Sequence, residues 1–304
     1  MSDPAPAPRT LLLRDGRVHE VDPGAAVVGA DDAGLTRGDG CFETLRVLGG
    51  DPPRALGLGA HLERLARSAA ALDLPAPDGG AWREAARAAA AGVPAGAEAA
   101  LRLTLTRGTP AAGPTALLTL RPVGADVLTA RERGVRVVAL DRGTALDAHA
   151  AAPWLLGGVK TLSYAVHTAA LREAARRGAD DAVLITPAGE VLEAPTATVV
   201  VLDAGTLRTP AAGASGILAG TTQRAVFAGA AREGVATAEG PLTLAELTAA
   251  DGAWLVSSVR GAVEVVAVDG APVRRAPGWT ARLRGWAEED AREARAGDLE
   301  PVTS

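Results

Sequence analysis

The sequence predicts a mixed α and β (α+β) protein of two domains, and three observations carry that prediction. Its 304 residues exceed one modest domain. Short alternating apolar runs intermix with alanine-rich stretches of helical period. A turn-forming break at Pro122-Val123-Gly124 separates two such mixtures, placing a smaller N-terminal α/β domain over 1–124 and a larger C-terminal one over 125–304.

Within the first half, Leu11-Leu12-Leu13, Ala26-Val27-Val28 and Thr44-Leu45-Arg46-Val47-Leu48 predict strands. Gly49-Gly50-Asp51-Pro52-Pro53 is turn chemistry, and the stripe Leu62, Leu65, Ala69, Leu72 predicts a helix after it. A second helix covers 82–91 and stops at Gly92 and Pro94. Leu101, Leu103 and Leu105 alternate with polar residues, so 100–106 is a half-buried strand that pairs with 116–122. Residues 125–134 read as a connector. Beyond them come strand 135–140, a loop of small residues, and helix 164–177 with Val166, Ala170 and Ala174 on one face. Strands 181–186 and 197–202 flank the turn Pro187-Ala188-Gly189. Helix 220–233, strands 253–258 and 263–268, and a last helix over 278–296 complete the chain, with Trp279, Leu283 and Trp286 spaced for core packing. The tail from Gly297 is expected to fray.

Composition excludes several function classes. A net charge of −5 and 3% aromatics give neither the electrostatic footprint nor the stacking groups of a nucleic-acid binder. No apolar run reaches about 18 residues, so no membrane span is expected. Met1-Ser2-Asp3-Pro4 lacks a basic start and an apolar middle, so no signal peptide is expected and the expected location is cytoplasmic. Cys41 is the single cysteine, which forbids an intrachain disulfide and a multi-cysteine zinc site. No GxGxxG follows a strand, Val159 stands where a P-loop needs glycine, and no HExxH occurs. Gly213-Ala214-Ser215-Gly216-Ile217 misses the final glycine of a nucleophile elbow.

One count points forward. The 31 basic residues are 30 arginines and one lysine, Lys160. Under a coding bias that turns lysine into arginine, a surviving lysine marks a place where a neutral amine is needed, chance survival being the alternative. Arginine stays protonated, whereas a lysine amine forms Schiff bases. Gly157-Gly158 precede Lys160, and the only tyrosine, Tyr164, follows it. A carboxylate, Glu193, sits at a strand–turn junction 33 residues on, and Gly220-Thr221-Thr222 opens a helix whose N-terminus suits an anion. Lysine amine, acid and anion site together suggest pyridoxal 5'-phosphate chemistry. Taken singly, the glutamate is also a surface carboxylate and the Gly-Thr-Thr also an ordinary cap.

Over about residues 30–270 the chain resembles the class IV aminotransferase family, the fold-type IV pyridoxal-phosphate enzymes. The resemblance lies in Gly38-Asp39-Gly40-Cys41-Phe42-Glu43-Thr44, His61-Leu62-Glu63-Arg64-Leu65, Leu103-Thr104-Leu105-Thr106-Arg107-Gly108, the Lys160 and Glu193 segments, and Ser257-Ser258-Val259-Arg260-Gly261. It implies the branched-chain-aminotransferase-like fold with the cofactor between the domains, and a homodimer. It implies that Lys160 carries the cofactor and moves protons at the substrate carbon, with Glu193 on the pyridine nitrogen and Tyr164 near the ring hydroxyl. Arg64, Gly220, Thr221, Thr222, Ser257 and Ser258 are implied phosphate and cofactor contacts, with Thr198 beside them.

This chain also departs from the family pattern. Thr198 stands where asparagine is usual, Gln223 replaces an arginine, and Ser163 replaces an asparagine common among the lyases. The loop Thr109–Pro114 lacks the Arg-x-His of the D-amino acid aminotransferases, and Leu162-Ser163-Tyr164 differs from the branched-chain Gly-Asn-Tyr. The remaining resemblance is to 4-amino-4-deoxychorismate lyase, which eliminates pyruvate to leave 4-aminobenzoate, a folate precursor. That reading makes Arg37, Phe42, Arg107, Ser258 and Arg260 substrate contacts and puts Thr44 at the leaving group, because guanidinium groups bind carboxylates bidentately. A transaminase of D-amino acids, branched-chain amino acids or amines is the alternative, and a cofactor-binding relative without turnover is the third reading.

Overall fold

The computed structural model describes residues 5–297; the tail beyond Gly297 and Met1-Ser2-Asp3-Pro4 lie outside the described residues. The chain divides into two compact units, Met1–Gly124 with Val159–Tyr164, and Ala125–Gly158 with Ala165–Ser304.

The first unit runs β1 (Arg9–Arg14), β2 (Arg17–Val21), α1 (Ala33–Arg37), β3 (Gly40–Leu48), β4 (Arg54–Ala55), α2 (Leu58–Ala71), α3 (Gly79–Ala90), β5 (Glu98–Thr109) and β6 (Gly113–Pro122). Its strands form one sheet in the order β2-β1-β6-β5-β3-β4, with every pair antiparallel. Alternation gives the sheet two unlike faces. Cys41, Leu45, Leu101, Leu103 and Leu118 pack with Leu65 of α2 and Trp82 of α3 into the core. Phe42, Thr44, Arg102 and Thr104 alternate with them and lie on the opposite face. The expected strand at Ala26–Val28 is irregular, because Asp22 closes a turn onto Gly24 and Ala25. Its place is taken by β2, a polar edge strand whose Arg17–Val21 carries no apolar alternation.

The second unit holds α4 (Ala125–Arg133), β7 (Val135–Asp141), α5 (Ala165–Arg176), β8 (Asp181–Ile185), β9 (Thr198–Asp203), β10 (Thr206–Thr209), α6 (Thr221–Arg232), β11 (Thr237–Glu239), α7 (Leu244–Ala249), β12 (Gly252–Ser257), β13 (Gly261–Val268), β14 (Ala271–Pro272) and α8 (Trp279–Gly297). Its sheet runs β11-β10-β9-β12-β13-β7-β8, with β14 beside β13. The pairs β13–β7, β7–β8 and β10–β11 are parallel. The expected connector over 125–134 is the helix α4, ended by Gly134 in a left-handed conformation. Leu283 and Trp286 of α8 are buried with Val226 and Trp254, as their spacing requires. Ala170 and Ala174 of α5 are buried, but Val166 points outward at 68% exposure. Among the described residues no helix is long and apolar enough to cross a membrane.

Candidate active site

Lys160 is built into the edge of the first unit's sheet. The Phe42 amide donates to the Lys160 carbonyl at 3.0 Å, and the Leu162 amide donates to the Gly40 carbonyl at 2.8 Å. The Lys160 amide in turn donates to Ser68 Oγ of α2 at 3.2 Å, and Ser68 is buried. Those backbone pairings explain why 159–164 join the first unit, although the sequence divides the domains at 124. They also explain the two glycines of Gly38-Asp39-Gly40. Gly38 closes α1 at φ +69°, and a Cβ on Gly40 would lie 2.6 Å from the Leu105 carbonyl oxygen.

The lysine amine faces an aromatic pair. Nζ lies 4.6 Å from the Phe42 ring centroid and 6.0 Å from that of Tyr164. The two rings meet edge to face at 5.3 Å. A second cation shares Phe42: the guanidinium of Arg102 lies 3.7 Å from its centroid. Arg102 is half-buried, donates to Thr104 Oγ1 at 3.3 Å and makes no ion pair among the described residues. Burial pushes its pKa below the ordinary arginine value. Thr44 is its direct partner in the β3–β5 ladder.

Behind this face lies an ionic cluster. Glu43, fully buried, accepts from Arg64 Nε at 2.6 Å and Nη2 at 2.8 Å, and from His61 Nδ1 at 2.6 Å. Burial alone would raise the Glu43 pKa; the hydrogen bonds from Arg64 and His61 reverse this and hold it at about 2. His61 is pushed down by its burial and by the charges of Arg64 and Lys160, so a neutral imidazole donates its Nδ1–H to Glu43.

In the second unit, Glu193 is held by backbone pairing beside β8, where the Leu184 amide donates to its carbonyl at 2.8 Å. Its carboxylate accepts from the Leu218 amide at 3.3 Å. The start of α6 gathers hydroxyls: Ser258 Oγ lies 3.5 Å from Thr221 Oγ1 and 3.3 Å from Thr222 Oγ1. The N-cap, Gly220, makes no side-chain capping bond, and a helix N-terminus suits an anion. A Cβ on its N-cap, Gly220, would sit 2.5 Å from Thr198 Oγ1, so the Thr198 hydroxyl lies against the same terminus. Gln223 turns away from it and donates to Glu239 at 3.2 Å. Ser257 pairs with Gly261 at the mouth of the β12–β13 hairpin that carries Ser258.

The three arginines assigned to substrate are placed differently from one another. Arg107 grips Asp39 at 2.6 and 3.2 Å and the Leu72 carbonyl at 2.6 Å. Arg260 pairs with the buried Asp181 at 2.6 Å and donates to Thr196 at 3.0 Å. Both forks are thus occupied by protein. Arg37 ends α1 and is exposed. Arg102 is the residue the sequence concealed: in a strand of alternating leucines it reads as one more outward-facing charge.

Comparison with known proteins shows what the chain is similar to. A family model described as amino-transferase class IV matches residues 40–268. A Mycobacterium tuberculosis protein named bifunctional aminodeoxychorismate lyase / D-amino acid transaminase is 42% identical over 277 residues, covering 88% of this chain and 94% of the relative. The pyridoxal-phosphate-bound structure of a hypothetical aminotransferase from Mycobacterium tuberculosis superposes with a TM-score of 0.87 at 40% identity, covering 95% of this chain and 100% of the other. The fold IV transaminase CpuTA1 from Curtobacterium pusillum gives a TM-score of 0.86 at 41% identity, covering 95% and 99%.

Proposed function

The chain belongs to the class IV aminotransferase family and is a pyridoxal-phosphate-dependent enzyme, a lyase or a transaminase; from that premise we propose that it is a 4-amino-4-deoxychorismate lyase. The observation that carries the proposal is the pairing of two cations on Phe42. Nζ of Lys160 and the guanidinium of Arg102 lie 4.6 and 3.7 Å from one ring centroid. The amine that would carry the cofactor and a carboxylate-seeking guanidinium share a single platform, which suits a substrate bearing both an amine and carboxylates.

Bound pyridoxal phosphate supplies an aldehyde for the amine and an electron-withdrawing ring. Lys160 would hold the cofactor and would move the proton at the amine-bearing carbon. Glu193 would keep the cofactor's ring nitrogen protonated, and Tyr164 would meet its ring hydroxyl. Arg64, Gly220, Thr221, Thr222, Ser257 and Ser258 would hold the phosphate; the three hydroxyls at the start of α6 fit such an anion. Arg102 takes a substrate carboxylate against Phe42, with Thr44 beside the leaving group. Loss of the proton at the amine-bearing carbon and cleavage of the C–O bond to the enolpyruvyl group would make the substrate ring aromatic as 4-aminobenzoate, and the departing enolpyruvate would take up a proton to become pyruvate. The chemistry belongs to the cytoplasm and to a homodimer in this reading.

The second reading is D-amino acid transamination, which the 42% identical relative carries in the same name. The test is release of pyruvate and 4-aminobenzoate from 4-amino-4-deoxychorismate with no keto acid added, using Lys160→Ala as control. Equimolar release, absent in the variant, supports the lyase. A protein that shows the bound-cofactor absorbance yet releases neither product, and transfers amino groups from D-amino acids, overturns it.

A further inference from the structure

Between β7 and Lys160 the chain makes a long loop, and that loop is fastened at several points to the turn 213–218. Arg142 donates from Nη2 to the Ser215 carbonyl at 2.9 Å and from Nε to Thr144 Oγ1 at 2.8 Å. The Gly158 amide donates to the Gly216 carbonyl at 2.9 Å. The His149 ring fills the space beside two glycines: a Cβ on Gly157 would lie 2.6 Å from its Nδ1, and one on Gly216 would lie 2.4 Å from its Cδ2. Nδ1 of His149 is buried with no hydrogen-bond partner among the described residues. Burial and the Arg142 charge push the His149 pKa down, so it packs as a neutral wedge.

The turn so fastened is itself closed. The Gly216 amide donates to the Gly213 carbonyl at 2.9 Å, Ser215 Oγ donates to the Ala211 carbonyl at 2.7 Å, and the Ile217 amide donates to Ser215 Oγ at 3.3 Å. The next amide, of Leu218, donates to the Glu193 carboxylate. Arg142 is half-buried and makes no ion pair among the described residues. Burial pushes its pKa down and the nearby Glu193 charge pulls it back up, so the two groups sense each other electrostatically.

We infer that Arg142 is a positioning residue for Glu193: it fixes the turn 213–218 through the Ser215 carbonyl, and that turn aims the Glu193 carboxylate through the Leu218 amide. Arg142 touches no reacting atom in this arrangement; it sets the orientation of the acid that meets the cofactor ring. The inference rests on the assignment of Glu193 to the ring nitrogen proposed above.

A double-mutant cycle on the full-length protein separates the two claims. Pyridoxal phosphate affinity and the position of the cofactor's visible band are measured for wild type, Arg142→Met, Glu193→Gln and the double variant, with hydrogen exchange over 213–218. Arg142→Met is expected to weaken cofactor binding about tenfold, the size of one charge-assisted hydrogen bond. It should also raise exchange over 213–218 and move the band in the same direction as Glu193→Gln. The double variant should bind the cofactor no more weakly than Glu193→Gln alone, and Arg142→Lys should recover part of the loss. Additive losses, or an Arg142→Met band at the wild-type position, would overturn the inference. A Glu193→Gln protein with wild-type affinity and spectrum would instead sink the assignment of Glu193. Should Arg142→Met not fold, Arg142→Gln enters the same cycle with the same two criteria.

Discussion

In the first unit an ionic cluster lies behind the face that carries Phe42, with Glu43 buried between Arg64 and His61. In the second unit the start of α6 gathers neutral groups, the hydroxyls of Thr221, Thr222 and Ser258. The two arrangements fail differently. A buried ion pair that loses one member leaves an uncompensated charge in a low-dielectric interior. A cup of hydroxyls that loses one member keeps the others and can admit water. The members of the Glu43 cluster are therefore expected to be nearly all-or-none, and those at the start of α6 graded.

The largest effect belongs to Lys160→Ala, because no other amine side chain exists in the sequence to take its place. Turnover should fall by on the order of 10³-fold or more, with the cofactor's visible band lost in the same sample. Retained turnover would remove Lys160 from the chemistry altogether.

Glu43→Gln comes next, and its effect is on stability. Leaving Arg64 buried without its carboxylate should cost about 3–5 kcal/mol in urea unfolding. The pH dependence gives an independent check. The folded-state pKa of Glu43 is about 2 against an ordinary 4.5, so its stabilisation is complete above the ordinary value and is lost as pH falls towards 2. Glu43→Gln should flatten the acid limb of the stability curve in that window. An acid limb unchanged from wild type would mean that other carboxylates set it.

Much of this contrast was legible in the sequence, but unevenly. The stripe of Leu62, Leu65 and Ala69 identified α2, because one face of a helix must bury those residues together. Lys160 stood out because a biased composition left it alone, and the Gly38–Thr44 segment because it resembles the family's first-domain signature. Arg102 was hidden for the converse reason, as one of 30 arginines on the polar phase of an alternating strand. Only the strand register shows that this phase also carries Phe42 and Thr44. The docking of Lys160 onto Gly40 and Phe42 was hidden too, since backbone pairing across about 120 residues leaves no local pattern. β2 escaped because an edge strand with polar side chains obeys no burial rhythm.

Arg102→Gln tests whether that concealed residue belongs with the substrate or with the fold. Its guanidinium makes one hydrogen bond, to Thr104, and no ion pair among the described residues, so removing it leaves no buried anion behind. Stability should therefore change by less than about 1 kcal/mol. KM for the carboxylate substrate should rise about tenfold to a hundredfold, the range of one charge-assisted contact, while cofactor affinity stays at the wild-type level. A KM unchanged from wild type, beside a raised one for Arg37→Gln, would move the carboxylate site to the end of α1.

The smallest effect is expected for Ser258→Ala, and its size decides whether the graded picture of the second unit holds. The Ser258 hydroxyl lies within 3.5 Å of both threonine hydroxyls, so its loss removes one donor from a cup that retains Thr221, Thr222 and the α6 amides. One neutral hydrogen bond contributes about 1 kcal/mol, or roughly a fivefold loss of pyridoxal phosphate affinity. Turnover at saturating cofactor should be close to wild type, because the role proposed for the hydroxyl is in binding the cofactor and not in proton transfer. A hundredfold loss from Ser258→Ala would mean that the hydroxyls act as one unit, as buried charges do. The start of α6 would then be as intolerant of single losses as the Glu43 cluster, and the difference between the two units would lie in their chemistry alone.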